Sequence, residues 1–150
     1  MDKGKTWNIY FMEIAELVAS KSKDPRTKVG AVLVRNNRII STGYNGFPKG
    51  IVETVERWQP PQKYDFVVHA ERNALDNAAK EGISTLGTTL YITPLPPCLE
   101  CVKGIISAGV EKVVITRYDI ETRPQWADSI RKGNAILEEA GITVEIMDVF

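Results

Sequence analysis

From residue 88 onward the chain alternates between short β-branched apolar segments and helical segments, and this alternation restricts the possible folds most strongly. Strands are predicted at 88–93, 110–116 and 142–146, and helices at 98–108 and 126–140. Strands that alternate with helices favour one sheet with the helices packed against its faces. We therefore expect an α/β protein.

The first half of the chain predicts a different arrangement. Apolar residues recur with helical spacing from Trp7 to Val18, which predicts a helix. Two strand-like segments at 29–34 and 38–42 flank an Asn-Asn turn. The Ala-rich segment 68–80 predicts a second helix. Two short strands around a tight turn indicate an antiparallel hairpin. The complete order, α-β-β-α-β-α-β-α-β, favours a five-stranded mixed sheet with helices on both faces.

Composition and charge limit the classes of partner. The 19 basic and 19 acidic side chains cancel, so nothing indicates the basic excess with which proteins usually bind a polynucleotide. No run of about 18 apolar residues predicts a membrane span, and the N-terminus does not resemble a signal peptide. We expect a cytoplasmic protein with a single domain over 1–150, because no change in composition divides the chain.

The chain contains one histidine and two cysteines, and they form the candidate metal site. His69, Cys98 and Cys101 each lie beside a predicted helix start. Zinc favours imidazole and thiolate ligands, and catalytic sites use three protein ligands and leave the fourth position to water. The sequence therefore predicts one catalytic Zn²⁺ per chain.

Two other interpretations of the Cys-x-x-Cys spacing at 98–101 stay open. The pair resembles a redox-active dithiol, which would hold no metal. It also fits a closed structural zinc site, for which a carboxylate would have to complete the ligand set because no further Cys or His exists. This shortage of ligands favours the open, catalytic site.

Glu71 follows His69 by two residues and is the candidate proton carrier. Its side chain leaves the same helix end in a different direction, so it reaches the water position better than it ligates the metal. A carboxylate there can take a proton from water and return it to the substrate. The alternative is that Glu71 is only an acidic residue favourable at a helix start.

The His-Ala-Glu run at 69–71 and the Pro-Cys-Leu-Glu-Cys run at 97–101 resemble the zinc deaminase signature. This resemblance extends over nearly the whole chain and implies a three-layer α-β-α cytidine deaminase-like fold. The runs at 22–25, 43–48 and 69–74 are similar to the deoxycytidylate (dCMP) deaminases in particular.

This family resemblance implies an activity and a mechanism. The expected reaction converts dCMP to dUMP and ammonia and so feeds thymidylate synthesis. Zinc-activated water would attack carbon 4 of the ring, while Glu71 would protonate nitrogen 3 and the departing amine. The backbone N–H of Ala70 is expected to hold the carbonyl oxygen of the ring.

Four further residues are predicted to bind the substrate. Arg26 and Lys28 follow the first helix and are candidates for the phosphate, although both also fit ordinary solvated charge. Tyr118 lies just past a predicted strand end, where ligands of open α/β sheets collect. Asn45 is the fourth candidate.

The loop residues Gly43, Tyr44, Asn45 and Gly46 resemble a segment linked with nucleotide regulation in the family. The resemblance implies activation by dCTP, inhibition by dTTP, Mg²⁺ on the bound triphosphate and a homo-oligomer, with a hexamer favoured. The simpler alternative is that Asn45-Gly46 only forms a turn.

Other substrates and one other class of function remain open. The same chemistry would serve dCTP, cytidine, guanine or a tRNA adenosine, and a zinc-binding module without turnover would also use this ligand set. The chain departs from the family at 49–64, which supplies no further Cys or His for the second, structural zinc of some members, and at 119–126, which includes Pro124 and Trp126.

Overall fold

The computed structural model describes residues 3–148, so both ends of the predicted 1–150 domain lie outside the described residues. The predicted order of elements is confirmed, with one short helix, α2, added. None of the helices between residues 3 and 148 combines the length and apolar character that a bilayer crossing requires. The elements are α1 Trp7–Ala19, β1 Gly30–Arg35, β2 Arg38–Tyr44, α2 Lys63–Phe66, α3 Ala70–Lys80, β3 Thr89–Thr93, α4 Leu99–Ser107, β4 Lys112–Thr116, α5 Pro124–Glu139 and β5 Thr143–Met147.

The strands form one five-stranded sheet in the order β2-β1-β3-β4-β5. Strand β1 is antiparallel to β2 and β3, whereas β3, β4 and β5 are parallel to one another. The hairpin between β1 and β2 turns at Asn36 and Asn37, whose φ angles of 53° and 57° suit the type I′ turn that matches strand twist. The predicted mixed sheet is therefore confirmed.

Side chains alternate between the two faces of the sheet and build a separate core on each. Helix α1 covers one face, where the Phe11 and Tyr91 rings meet at a tilt with centroids 5.3 Å apart, and Val32 and Val114 are buried beside them. Helices α3, α4 and α5 cover the other face over residues such as Leu90. The result is the three-layer α-β-α arrangement.

Two strand glycines allow the helices to approach the sheet closely. A Cβ on Gly30 would lie 2.0 Å from the carbonyl oxygen of Ala15 in α1. A Cβ on Gly43 would lie 2.3 Å from the backbone nitrogen of Ala74 in α3. The second approach holds the start of α3 against the end of β2, where the candidate site is found.

The segment 49–64, predicted to be irregular, contributes Trp58 to a small aromatic cluster with Phe47 and Phe66. The ring of Phe47 stacks on Trp58 at 4.4 Å and lies 5.4 Å from Phe66, and the Arg57 guanidinium sits 4.4 Å above the Phe66 ring. A single 3-10 turn covers Glu56–Trp58. This packing positions α2 beside the start of α3.

Candidate active site

His69 is the residue that precedes helix α3, and its backbone is extended (φ −69°, ψ 156°). The helix begins at Ala70, two residues later than the prediction from residue 68, because Val68 is held in an isolated bridge to Gly46. The two backbone hydrogen bonds of that bridge measure 2.9 and 3.1 Å. The imidazole therefore projects from the helix end.

Cys98 occupies the equivalent position before helix α4, after the proline run that ends β3. The N–H of Leu99 donates to Ser129 Oγ at 2.9 Å and ties this helix start to α5. Cys101 lies one turn further along α4 and is buried. The two sulfur atoms therefore lie one helical turn apart on the same side of the helix start.

The three donor atoms meet in the geometry that zinc requires. His69 Nδ1 lies 3.3 Å from Cys101 Sγ and 3.5 Å from Cys98 Sγ, and all three donors fall within 4.8 Å of one another. A tetrahedral ion with Zn–N near 2.0–2.1 Å and Zn–S near 2.3 Å separates nitrogen from sulfur by about 3.5 Å. The two nitrogen–sulfur separations therefore match those of a tetrahedral zinc site.

Hydrogen bonds among the three candidate ligands shift their pKa values. The Cys101 thiol donates to Cys98 and lowers the pKa of Cys98 to about 4, while the pKa of Cys101 is raised by the same shared hydrogen bond and by burial. The hydrogen bond with Cys98 also raises the pKa of His69, against the opposing effect of burial. Metal binding has to displace these protons, so affinity for the ion falls at low pH.

Glu71 lies inside this constellation with only 4% of its surface exposed. Burial raises the pKa of its carboxyl to about 7, and the nearby charge of His69 opposes that rise only in part. A carboxyl group with a pKa near neutrality can both accept and release a proton at physiological pH. The arrangement is suited to proton transfer beside a metal ion.

A cavity of about 500 Å³ opens onto these residues and forms the candidate substrate pocket. His69, Ala70, Glu71 and Cys98 form its floor. Its other lining residues include Asp24, Arg26, Thr27, Val29, Asn45, Lys63, Tyr64, Leu95, Pro96, Arg123, Gln125, Trp126 and Ile130. The pocket therefore combines His69, Cys98 and Glu71 with walls from five separate segments.

The structure brings only some of the predicted substrate residues to this pocket. Arg26 and Asn45 line it, whereas Lys28 and Tyr118 do not. The Asn45 amide is fully engaged: its oxygen accepts from Val29 N–H at 2.8 Å, and its nitrogen donates to Asp24 at 3.1 Å and to a backbone carbonyl at 2.9 Å. Asn45 thus fixes the shape of the wall.

The residues of the predicted regulatory loop differ in how far they are exposed to solvent. Gly43 is buried against α3, and Gly46 forms the bridge to Val68. Tyr44 keeps 39% of its surface exposed. None of these three residues lines the substrate pocket.

Several pocket residues were missed by sequence reasoning. Lys63 forms an ion pair of 2.6 Å with Asp24, and the Trp126 ring lies 6.5 Å from the His69 ring and 6.3 Å from the Tyr64 ring. Lys63 and Tyr64 lie at the end of the unassigned 49–64 segment and in α2, and Arg123 and Trp126 belong to the segment 119–126. The only sequence signal that could have pointed to these residues was that both segments differ from the resembling family.

Comparison with known proteins agrees with this geometry. Residues 5–117 match the family described as the cytidine and deoxycytidylate deaminase zinc-binding region. The chain is 40% identical to a probable deoxycytidylate deaminase of Drosophila melanogaster over 87% of this chain and 68% of that protein. It is 36% identical to the human deoxycytidylate deaminase over 91% of this chain and 77% of that protein.

A solved structure shares the fold. The dCMP deaminase of the cyanophage S-TIM5, crystallised with dCMP and dUMP, superposes with a TM-score of 0.75 at 36% identity, covering 93% of this chain and 95% of the phage chain. The sequence match, the structural match and the ligand geometry all concern the same region. The chain belongs to the family of cytidine and deoxycytidylate deaminases that share this zinc-binding region.

Proposed function

We propose that this protein catalyses the hydrolytic deamination of dCMP to dUMP and ammonia. The observation that carries the proposal is the meeting of His69, Cys98 and Cys101 within 4.8 Å of one another, with the buried carboxyl of Glu71 beside them on the pocket lining. The dCMP and dUMP bound by the similar phage enzyme support the choice of substrate. The product is a precursor for thymidylate synthesis.

His69 Nδ1 and the two thiolates are the proposed zinc ligands. A zinc ion bound there would supply Lewis-acid activation of a water molecule. Glu71 takes the proton of that water, and its pKa of about 7 lets it pass the proton on to nitrogen 3 of the ring and then to the departing amine. Burial keeps bulk water from competing for the proton.

Ala70 is proposed to orient the pyrimidine ring. It is the first residue of helix α3 and is fully buried at the pocket floor. The first N–H groups of a helix have no partner inside the helix and carry partial positive charge. The Ala70 N–H can therefore donate to the ring carbonyl oxygen.

Arg26 is the proposed phosphate contact from the loop after α1. Its side chain lines the pocket mouth, and its backbone N–H is fixed by donation to Asp24 Oδ1 at 2.8 Å. Asn45 is proposed to shape the sugar region through its three hydrogen bonds. Lys28 and Tyr118 lie off the lining and have no such support as substrate contacts.

Regulation by dCTP as activator and dTTP as inhibitor, with Mg²⁺ on the triphosphate, is proposed from the family resemblance of residues 43–46. Tyr44, the exposed member of that segment, is the residue best placed to meet an effector. Rate curves recorded with and without each triphosphate test the proposal. Curves that neither nucleotide changes would refute it.

A homo-oligomer, with a hexamer favoured, is also proposed. Ile51, Val52 and Val55 expose 42%, 67% and 75% of their surfaces in one segment, as subunit contacts often do before assembly. A mass measured by light scattering decides the number of subunits.

A reducing compartment such as the cytoplasm suits the two free thiols that the proposed zinc requires.

The substrate panel that tests the proposed function is dCMP, dCTP, deoxycytidine and an adenosine-bearing tRNA, each offered to protein of known zinc content. Ammonia release is expected to be fastest with dCMP. Preferred release from dCTP or tRNA would keep the deaminase chemistry but change the substrate. No release from any of them, with about one zinc bound per chain, would indicate a zinc-binding module.

A further inference from the structure

The pocket walls carry an uneven distribution of charge. Asp24 and Lys63 form an ion pair at 2.6 Å with side chains only 2% and 12% exposed, so their charges cancel inside the wall. Two arginines, Arg26 and Arg123, remain as cations on the lining. The pocket is therefore prepared for an anionic substrate even though the whole chain has no net charge.

Arg123 differs from the other arginines near it. Arg117 pairs with Asp148 and Arg131 pairs with Glu121. Arg123 is half-buried and donates from its guanidinium to the hydroxyl of Thr27, and it forms no ion pair with any residue between 3 and 148. A guanidinium on a pocket wall with only a neutral partner keeps most of its charge available for a ligand.

Thr27 holds that partner hydroxyl in a fixed place. Its backbone N–H donates to Asp24 at 3.3 Å, and its carbonyl accepts from the Asn45 amide at 2.9 Å. Arg123 reaches it from the opposite side of the pocket, at the start of α5. The guanidinium therefore lies where two rigid walls of the pocket meet.

We propose that Arg123 binds the 5′-phosphate of the substrate and makes the enzyme selective for nucleoside monophosphates over nucleosides. The planar guanidinium offers paired donors that match two phosphate oxygens, and its charge complements the dianion together with that of Arg26. This inference rests on the proposed deamination of a nucleotide.

The test compares binding of dUMP and deoxyuridine, by calorimetry, to the zinc-loaded protein, because neither product reacts further. Arg123→Ala is expected to weaken dUMP binding about 10- to 100-fold, since hydrogen bonds to charged groups contribute that much. Deoxyuridine binding should change less than about twofold. Arg117→Ala, which removes an exposed arginine on the same connection, is the matched control and should change neither affinity.

Two further results separate phosphate binding from a merely structural bridge. Thr27→Val removes the bridge but leaves the guanidinium, so its loss of dUMP affinity should stay below about fivefold. An equal loss in Thr27→Val and Arg123→Ala, or equal losses for dUMP and deoxyuridine, would overturn the inference while the deaminase proposal stands. Wild-type protein that deaminates dCMP but binds dUMP no better than deoxyuridine would also overturn it.

Discussion

Lys63 Nζ lies 2.6 Å from Asp24 Oδ2, and this ion pair joins helix α2 to the wall of the substrate pocket. The other oxygen of Asp24 accepts from the backbone N–H of Arg26 at 2.8 Å, and Oδ2 also accepts from the Asn45 amide at 3.1 Å. One buried carboxylate therefore organises both the loop after α1 and the end of β2. The segment 49–64 acquires a role through Lys63, which lies near its end and completes this ion pair.

Breaking this ion pair should destabilise the protein. Removing one member of a buried pair leaves an uncompensated charge and costs about 3 kcal/mol or more, so Lys63→Met should lower the free energy of unfolding by about that amount. Urea denaturation of the zinc-loaded protein measures the difference. Lys103→Met, which removes the exposed pair with Glu100, is the control and should cost at most about 1 kcal/mol. Equal effects in the two variants would contradict the structural role of the buried pair.

Gly43 should be intolerant of any side chain. A Cβ there would lie 2.3 Å from the Ala74 nitrogen and 2.5 Å from the Ala70 oxygen, so α3 must move away from β2. We expect Gly43→Ala to destabilise the protein by about 3 kcal/mol and to weaken zinc binding, since His69 precedes α3. Gly104→Ala, where the nearest atom is 3.8 Å from the added Cβ, should instead stabilise helix α4 by about 0.5–1 kcal/mol. Thermal unfolding that shows no difference between the two variants would contradict this account of the packing.

The fold was predictable because its elements carry local signals. Strands β3, β4 and β5 are short runs rich in β-branched residues. Each helix between them begins or ends next to a proline, glycine or cysteine. The errors at helix starts also have local causes. The interaction of Val68 with Gly46 shortened α3, and Pro124, acceptable in the first helical turn, lengthened α5 relative to the predicted start at 126.

The ligand set was predictable for a different reason, namely scarcity. A chain with one histidine and two cysteines leaves few ways to build a site for a soft metal ion. The pocket walls were not predictable because Lys63, Arg123 and Trp126 lie at the starts of helices α2 and α5, where no periodic pattern marks them as pocket residues. Their convergence depends on tertiary packing that no local signal records.

The pKa of Glu71 predicts a pH dependence in zinc-free protein. Burial raises it from 4.5 to about 7, so the folded state keeps a proton that the unfolded state loses. The free energy of unfolding of the wild type, compared with that of Glu71→Gln, should therefore be highest below pH 4.5. This difference should fall by about 3 kcal/mol as the pH rises through 7. Denaturation curves of chelator-treated wild type and Glu71→Gln between pH 4.5 and 8 measure this difference. A difference that does not change with pH would show that Glu71 is ionised throughout the range.

Arg26 should contribute to nucleotide recognition from the mouth of the pocket. Arg26→Ala is expected to raise the KM for dCMP about tenfold and to leave the KM for deoxycytidine within about twofold. Steady-state ammonia release gives both constants. Lys23→Ala, an exposed cation of the same loop, is the control and should affect neither substrate. A similar rise in KM for the nucleoside would show that Arg26 acts on the shape of the pocket and not on the phosphate.

The most direct test of the central claim is the conversion of dCMP by zinc-loaded wild type and Glu71→Gln, with dUMP, ammonia and bound zinc all quantified. The wild type is expected to form equal amounts of dUMP and ammonia, and the variant to lose about 10²- to 10⁴-fold in kcat. The variant should also retain about one zinc per chain, because the ligands His69, Cys98 and Cys101 are unchanged. A wild type that forms no dUMP, or a variant that keeps its rate with zinc bound, would contradict the account.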